Sequence, residues 1–324
     1  MNEMFTSLFS RGLISETTLK NLEKKYASLV VSIYWELKTI LYLGVMMLST
    51  GLGILIYKNI DSISHQVVLL CIAGLSAGCF VWCNKRKHPF SYTKVSSPNS
   101  YFDYILLLGT LSFLSFLGYL EFQYEAFGTR YGFATFLPMV VLFFIAYYFD
   151  HIGILTLGIA NLAVWMGITV TPKELLSKGN LNEERIIYTY LLLGFMLLAA
   201  GYFTTRRDIK KHFFFSYQHF GVHVTFIALL SCYFFYDYKV SLLFLAAFAG
   251  IAWFIYTNAL KNRSFYFLLL TVIYSYVALS AFVVRSLDFS QAVSVAYIGF
   301  LYFIVSGIGF ILFLIDLNKK VKAV

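Results

Sequence analysis

Ten apolar runs, each long enough to cross a lipid bilayer, take up most of this chain of 324 residues. They are Thr39–Tyr57, Gln66–Cys83, Tyr104–Leu120, Gly132–Phe149, Ile152–Val170, Ile186–Thr204, Phe213–Tyr236, Val240–Leu260, Ser264–Val284 and Ala292–Leu317. A spanning helix needs about 20 mostly apolar residues, because each residue rises about 1.5 Å through a hydrocarbon core about 30 Å thick. In lipid a backbone must bond to itself, and the alternation that marks barrel strands is missing, so the runs are read as helices. A composition 60% hydrophobic and 13% charged, with a mean hydropathy of +0.75, lies outside soluble globular usage. The expected fold class is all-α: a polytopic integral membrane protein of about ten transmembrane helices. The expected domains are an amphipathic helical preface (1–38), a transmembrane bundle (39–317) and a basic tail (318–324).

The basic residues give an orientation. With alternating spans, only Lys58, Arg130, Lys173, Lys178, Arg185, Lys239 and Arg285 of the 25 Lys and Arg fall on one side. The rest cluster on the other side, as in Lys85–Arg86–Lys87, Arg206–Arg207 and Lys210–Lys211. Basic residues stay on the cytoplasmic side, so both termini are expected there, in a bacterial-type inner membrane. The surplus of +9 is then a topology signal that also attracts an anionic inner leaflet. A nucleic-acid footprint would gather on one soluble face, and no such face is visible. The first 38 residues are polar and do not read as a cleavable signal peptide. Four cysteines, all in or beside apolar runs, indicate no disulfide framework.

In the preface, Gly12 suits a helix C-cap and Ser15 an N-cap for a second helix through Thr17–Tyr26. Leu13, Leu19, Leu22 and Tyr26 form an apolar stripe at helical spacing. Such a stripe packs on the protein's own loops, lies on the membrane surface or docks a protein partner. The phrase Arg11–Gly12–Leu13–Ile14–Ser15 precedes a first span that runs through Gly51–Leu52–Gly53 into Lys58–Asn59–Ile60–Asp61. This stretch, about residues 8–61, resembles the bacterial multi-pass membrane family catalogued as domain of unknown function 2157. The resemblance implies a polytopic membrane protein, with no activity or functional residue to carry over.

Ionisable groups deep in a membrane are functional candidates by default. Only His219 and His223 lie well inside a span. With His212 and Ser216 they are spaced 4, 3 and 4 apart, and are expected to share one face of the seventh helix as a polar or ligand-facing seam. Imidazoles at i, i+4 chelate metals, relay protons or bond to neighbouring helices. Cys79 and Cys83 show the same spacing on the second helix, so Cys79, Cys83, His219 and His223 make an alternative metal-ligand set, and the bonded seam is the favoured reading. Asp103, Asp150, His151 and Asp316 form a cytoplasmic-side polar set. Asp150–His151 reads as the polar turn of a tight hairpin.

Small residues permit close helix approach, within one chain or between protomers. Gly44, Gly51, Gly53, Gly74, Gly78, Gly307 and Gly309 are therefore candidate helix-packing positions. Pro138 is a candidate kink. The loop Glu121–Tyr131, rich in aromatics, reads as interfacial.

No HExxH, G-x-S-x-G, P-loop or dinucleotide-type glycine loop occurs, and no cofactor is expected. The leading expectation is a small-solute transporter or permease-like protein. The alternative is a non-catalytic scaffold, sensor or assembly subunit acting through the preface. A lipid-modifying enzyme ranks third.

Overall fold

The computed structural model describes residues 10, 12, 15–18, 34–58, 64–99, 101–128, 131–170, 184–287 and 293–323. Among them, regular structure is entirely helical. The long helices are α1 (Tyr34–Lys58), α2 (His65–Arg86), α3 (Phe102–Tyr124), α4 (Tyr131–Phe149) and α5 (Ile152–Val170). They continue with α6 (Glu184–Arg206), α7 (Phe214–Phe235), α8 (Tyr238–Lys261), α9 (Phe265–Leu287) and α10 (Val293–Ala323). Nine are long and apolar enough to cross a membrane, and α5, apolar over Ile152–Ile168, is the shorter tenth. Each expected span has its helix.

The chain divides into two compact units, Met1–Ser64 and His65–Val324. In the first, Ser15 caps a helical turn as its residue type dictates: its hydroxyl accepts the Thr18 amide at 3.2 Å, and Gly12 takes φ 68° just before it. The stripe residues Leu13, Leu19, Leu22 and Tyr26 lie outside the described residues, as does most of the preface.

In the second unit, consecutive helices pack as antiparallel neighbours: α2 on α3, α4 on α5, α6 on α7, then α8, α9 and α10 in turn. Two hydrophobic clusters form. One centres on Leu106, Leu142, Ile154, Leu193 and Phe213, the other on Val222, Phe226, Phe248, Ile255 and Leu268. Helices α6 and α7 contribute to both and make the spine between them.

That spine is close because it has glycines where the two helices meet. A Cβ on Gly194 would lie 2.8 Å from the Thr225 amide nitrogen, and one on Gly221 would lie 3.0 Å from that of Leu198. Gly109 plays the same part between α3 and α2, where a Cβ would sit 2.7 Å from Cys79 Cβ. The glycines singled out from sequence do not. At Gly74, Gly78, Gly307 and Gly309 an added Cβ meets nothing within 4 Å among the described residues, and the same holds for Gly44, Gly51 and Gly53 within the first unit. Motif spacing marks where helices can approach, and this chain approaches at other positions.

Three helices end by one device. Asp150, Asp208 and Arg263 each take a left-handed φ of 52–60°. The following amide reaches back five residues, His151 to Ala146, Ile209 to Thr204 and Ser264 to Ala259, at 2.9–3.1 Å. This is a Schellman closure with a non-glycine residue in the strained position. All three lie at the end of the bundle that carries the basic turns, called here the basic end. Helix α4 continues through Pro138 without interruption. At the opposite end the residues after α3 fold back on its last turn, with Glu121 Oε2 accepting the Phe127 amide at 2.9 Å.

Candidate functional site

Two polar groups stand out in the second unit, and both involve the histidines that the sequence marks. The first is a seam between α7 and α9. The Tyr266 hydroxyl bonds His219 Nδ1 at 2.5 Å, and the Tyr274 hydroxyl bonds His223 Nδ1 at 2.8 Å. The two imidazoles stand edge to face with centroids 4.7 Å apart, as i, i+4 residues on one helix face should. Both are half-buried. Nine residues into α7, His223 lies roughly 14 Å along the axis, close to mid-depth of a core about 30 Å thick. On the other flank of α7, the Tyr217 hydroxyl bonds that of Tyr147 on α4 at 2.9 Å. Ser216 is buried on the same helix.

His212 does not join this seam. A single 3-10 turn, Lys211–Phe213, precedes α7 and breaks the helical register that would have stacked His212 on Ser216 and His219. Its imidazole turns to the Asp150 carboxylate instead, with Nε2 at 2.5 Å from Oδ1.

That contact belongs to the second group, a latch at the basic end. Asp150 Oδ2 lies 3.0 Å from Lys210 Nζ, with the two side chains 2% and 1% exposed. The Val95 amide donates to the same Asp150 oxygen. Lys210 Nζ also donates to the Thr93 carbonyl at 3.3 Å, and its amide donates to Tyr92 O at 2.7 Å. The Phe90 ring covers the ammonium, 5.1 Å from its centroid. One carboxylate thus ties together the α4–α5 turn, the α6–α7 turn and the 87–99 loop. Lys210, like Asp150, sits at left-handed φ, here 49°. A lone buried lysine is unfavourable, and its carboxylate partner and carbonyl acceptor are what make this burial possible.

The remaining polar residues at this end are structural. His151 Nδ1 accepts the Ile154 amide at 3.1 Å and caps α5. Asp103 accepts the Ser97 hydroxyl at 2.5 Å, and Asn99 Oδ1 accepts the amides of Tyr101 and Phe102 at the start of α3. Asp316 is exposed on α10, a helix that packs on α9. The four residues therefore do not converge on one pocket. The cysteine and histidine pairs do not converge either. Cys79 and Cys83 pack toward α3 and the first cluster, while His219 and His223 face α9, and no group of three or more metal-ligating side chains occurs among the described residues.

Sequence reasoning missed Lys210, which it counted only as a flanking charge, and Arg285. At the opposite end Arg285 donates to the carbonyls of Tyr233 and Tyr236 at 2.5 and 2.8 Å and to Ser241 Oγ at 2.9 Å. It neutralises the C-terminal carbonyls of α7, where a cation is favoured by the helix dipole.

Fold and polar groups together define a multi-pass helical membrane protein. Residues 6–155, just under half of the chain, match the model of the family described as "Predicted membrane protein (DUF2157)", the family that the opening residues resemble. The match extends well past Asp61, through α4 to the Asp150–His151 turn, and stops short of Lys210, His212 and the α7 seam. No curated protein and no solved structure matches the chain.

Proposed function

We propose that this protein is a small-solute transporter or permease-like protein, with the α7–α9 seam as its polar contact. The observation that carries this reading is the pair His219 and His223 on one face of the apolar helix α7, half-buried and bonded to tyrosine hydroxyls of a neighbouring helix. Polar sites of transporters sit near the bilayer midplane, and intramembrane ionisable residues mark solute or proton paths. The latch supports the same reading, since it joins three segments at one end through a single buried carboxylate. In this proposal the basic end faces the cytoplasm of a bacterial cell, both termini lie there, and opening that end requires the Asp150–Lys210 contact to part.

The test is solute flux into proteoliposomes holding the full chain, followed by stopped-flow light scattering with glycerol, urea and glycine as probes. The proposal expects at least one probe to enter faster than into protein-free vesicles, and His223→Leu to slow that entry about tenfold. Equal rates with and without protein for all three probes overturn it and leave the scaffold reading. Orientation is tested by placing the single cysteine of an otherwise cysteine-free chain at Ser96, an exposed loop position. An impermeant maleimide should label it only from the cytoplasmic face.

A further inference from the structure

The lipid-facing surface of the second unit is not uniform. Between α2, α3 and α4 runs a groove of about 670 Å³, lined by Ala77, Phe80, Val81, Phe116, Phe144 and Tyr148 among others. That volume lies in the range of small-molecule sites. From Ala73 to Asn84 the groove follows twelve residues of α2, a rise of roughly 16 Å, which is the depth of one leaflet of a hydrocarbon core about 30 Å thick. Its floor is apolar because its polar groups are spent: Ser76 Oγ donates to Gly109 O at 2.9 Å, and the Tyr148 hydroxyl donates to Asn84 Oδ1 at 3.1 Å.

The mouth is different in kind. Helix α2 ends in Lys85 and Arg86, and Lys87 follows directly. Lys87 Nζ lies 3.3 Å from the centroid of the Tyr148 ring, directly over a lining residue. Arg86 stacks on Trp82 at 4.4 Å. Among the described residues none of these three cations has a carboxylate partner, in contrast to Lys210 close by. Two other apolar grooves lack such a mouth. At the one of about 810 Å³ between α8, α9 and α10, no lysine or arginine stacks on a lining ring among the described residues, as Lys87 does on Tyr148. The one of about 710 Å³ has Arg285, whose guanidinium is already committed to Tyr233, Tyr236 and Ser241.

We infer that the α2–α4 groove holds one acyl chain of an anionic phospholipid, with the phosphate at Lys87 and the neighbouring Lys85 and Arg86. A leaflet-deep apolar trough under cations that have no carboxylate partner among the described residues matches the two halves of such a lipid. Zwitterionic lipids offer the same chain, but their headgroups bring an ammonium to a mouth that is already positive. The preference for negative headgroups therefore comes from the cations and the occupancy of the trough from its shape. This inference is independent of the transport reading.

The experiment is native mass spectrometry of the full chain released from mixed micelles. The micelles contain equal amounts of phosphatidylglycerol and phosphatidylethanolamine with identical acyl chains. The wild type should retain phosphatidylglycerol preferentially. Lys87→Gln should lower that retention about fivefold, the size of one cation–headgroup attraction, and Lys87→Arg should keep it. Ala77→Trp, at an exposed groove position, should reduce retention of both lipids by filling the trough. Equal retention of the two lipids by the wild type overturns the inference, as does undiminished phosphatidylglycerol binding in Ala77→Trp. Free inorganic phosphate that displaces the lipid while Ala77→Trp has no effect overturns the role of the trough.

Discussion

Lys210 holds its ammonium 3.0 Å from the carboxylate of Asp150, with both side chains almost wholly buried and both backbones in the left-handed region. Removing one partner of such a pair strands the other charge. The expected loss of stability is roughly 3–5 kcal/mol for Lys210→Met or Asp150→Asn alone. Asparagine tolerates the left-handed turn as aspartate does, so the second variant isolates the charge from the backbone. The double variant should lose much less than the sum of the singles. Thermal unfolding in detergent, followed by intrinsic fluorescence, measures all three. Additive losses would show that the pair does not act as a unit.

The α6–α7 crossing gives a sharper steric prediction. Gly194→Ala places a methyl 2.3 Å from Thr225 Oγ1 and 2.8 Å from its amide nitrogen, and a backbone atom cannot swing aside. Gly221→Ala meets Leu198 Cγ at 2.9 Å and its amide nitrogen at 3.0 Å. Each should destabilise by about 1–3 kcal/mol, the usual range for overpacking. Gly74→Ala and Gly78→Ala meet open space and should leave the melting temperature of the isolated chain unchanged or slightly raised. A fall in melting temperature for either would place an unseen contact on that face of α2.

These two predictions also mark what the sequence could and could not reveal. The spans were legible because bilayer thickness imposes a length on them, and Gly12 and Ser15 because capping needs a particular backbone or side chain. The i, i+4 spacing of His219 and His223 placed them on one face, and they do share it. His212 broke from that face because one 3-10 turn shifted the register, a change of a single turn that residue spacing does not encode. Lys210 was illegible for another reason. A lysine between two spans reads as a solvated flank, and its burial depends on Asp150, sixty positions away, and on carbonyls of a third segment. The packing glycines differ likewise: GxxxG is local, whereas the Gly194–Thr225 approach exists only once α6 and α7 have paired.

The seam invites a double-mutant cycle. Tyr274→Phe removes the hydroxyl that bonds His223, and His223→Leu removes the imidazole. Interhelical hydrogen bonds inside bilayers average about 0.6 kcal/mol and reach about 1.7 kcal/mol, so the coupling should fall in that range. Reversible unfolding in mixed micelles measures it. Coupling indistinguishable from zero would mean that the two side chains contribute independently, and the seam would lose its role as a contact between α7 and α9.

Arg285 supports the last prediction, at the opposite end. Its guanidinium occupies the carbonyls of Tyr233 and Tyr236 and the hydroxyl of Ser241, which itself donates to Tyr236 O at 2.7 Å and Asp237 O at 2.9 Å. The α7–α8 turn is thus held from α9 by hydrogen bonds, beside the apolar cluster that the three helices share. Arg285→Met keeps much of the aliphatic stem and removes the donors, leaving the last carbonyls of α7 without their cation. The expected result is local: faster hydrogen exchange at the amides of Tyr236 and Ser241, which bond Cys232 O and Asp237 O in the native turn. Exchange in the α6–α7 spine should stay as it was, because Gly194 and Gly221 lie further along those helices. Acceleration across the whole of α7 would instead assign Arg285 to global stability. Unchanged exchange at both amides would mean that the turn is fixed by Ser241 alone.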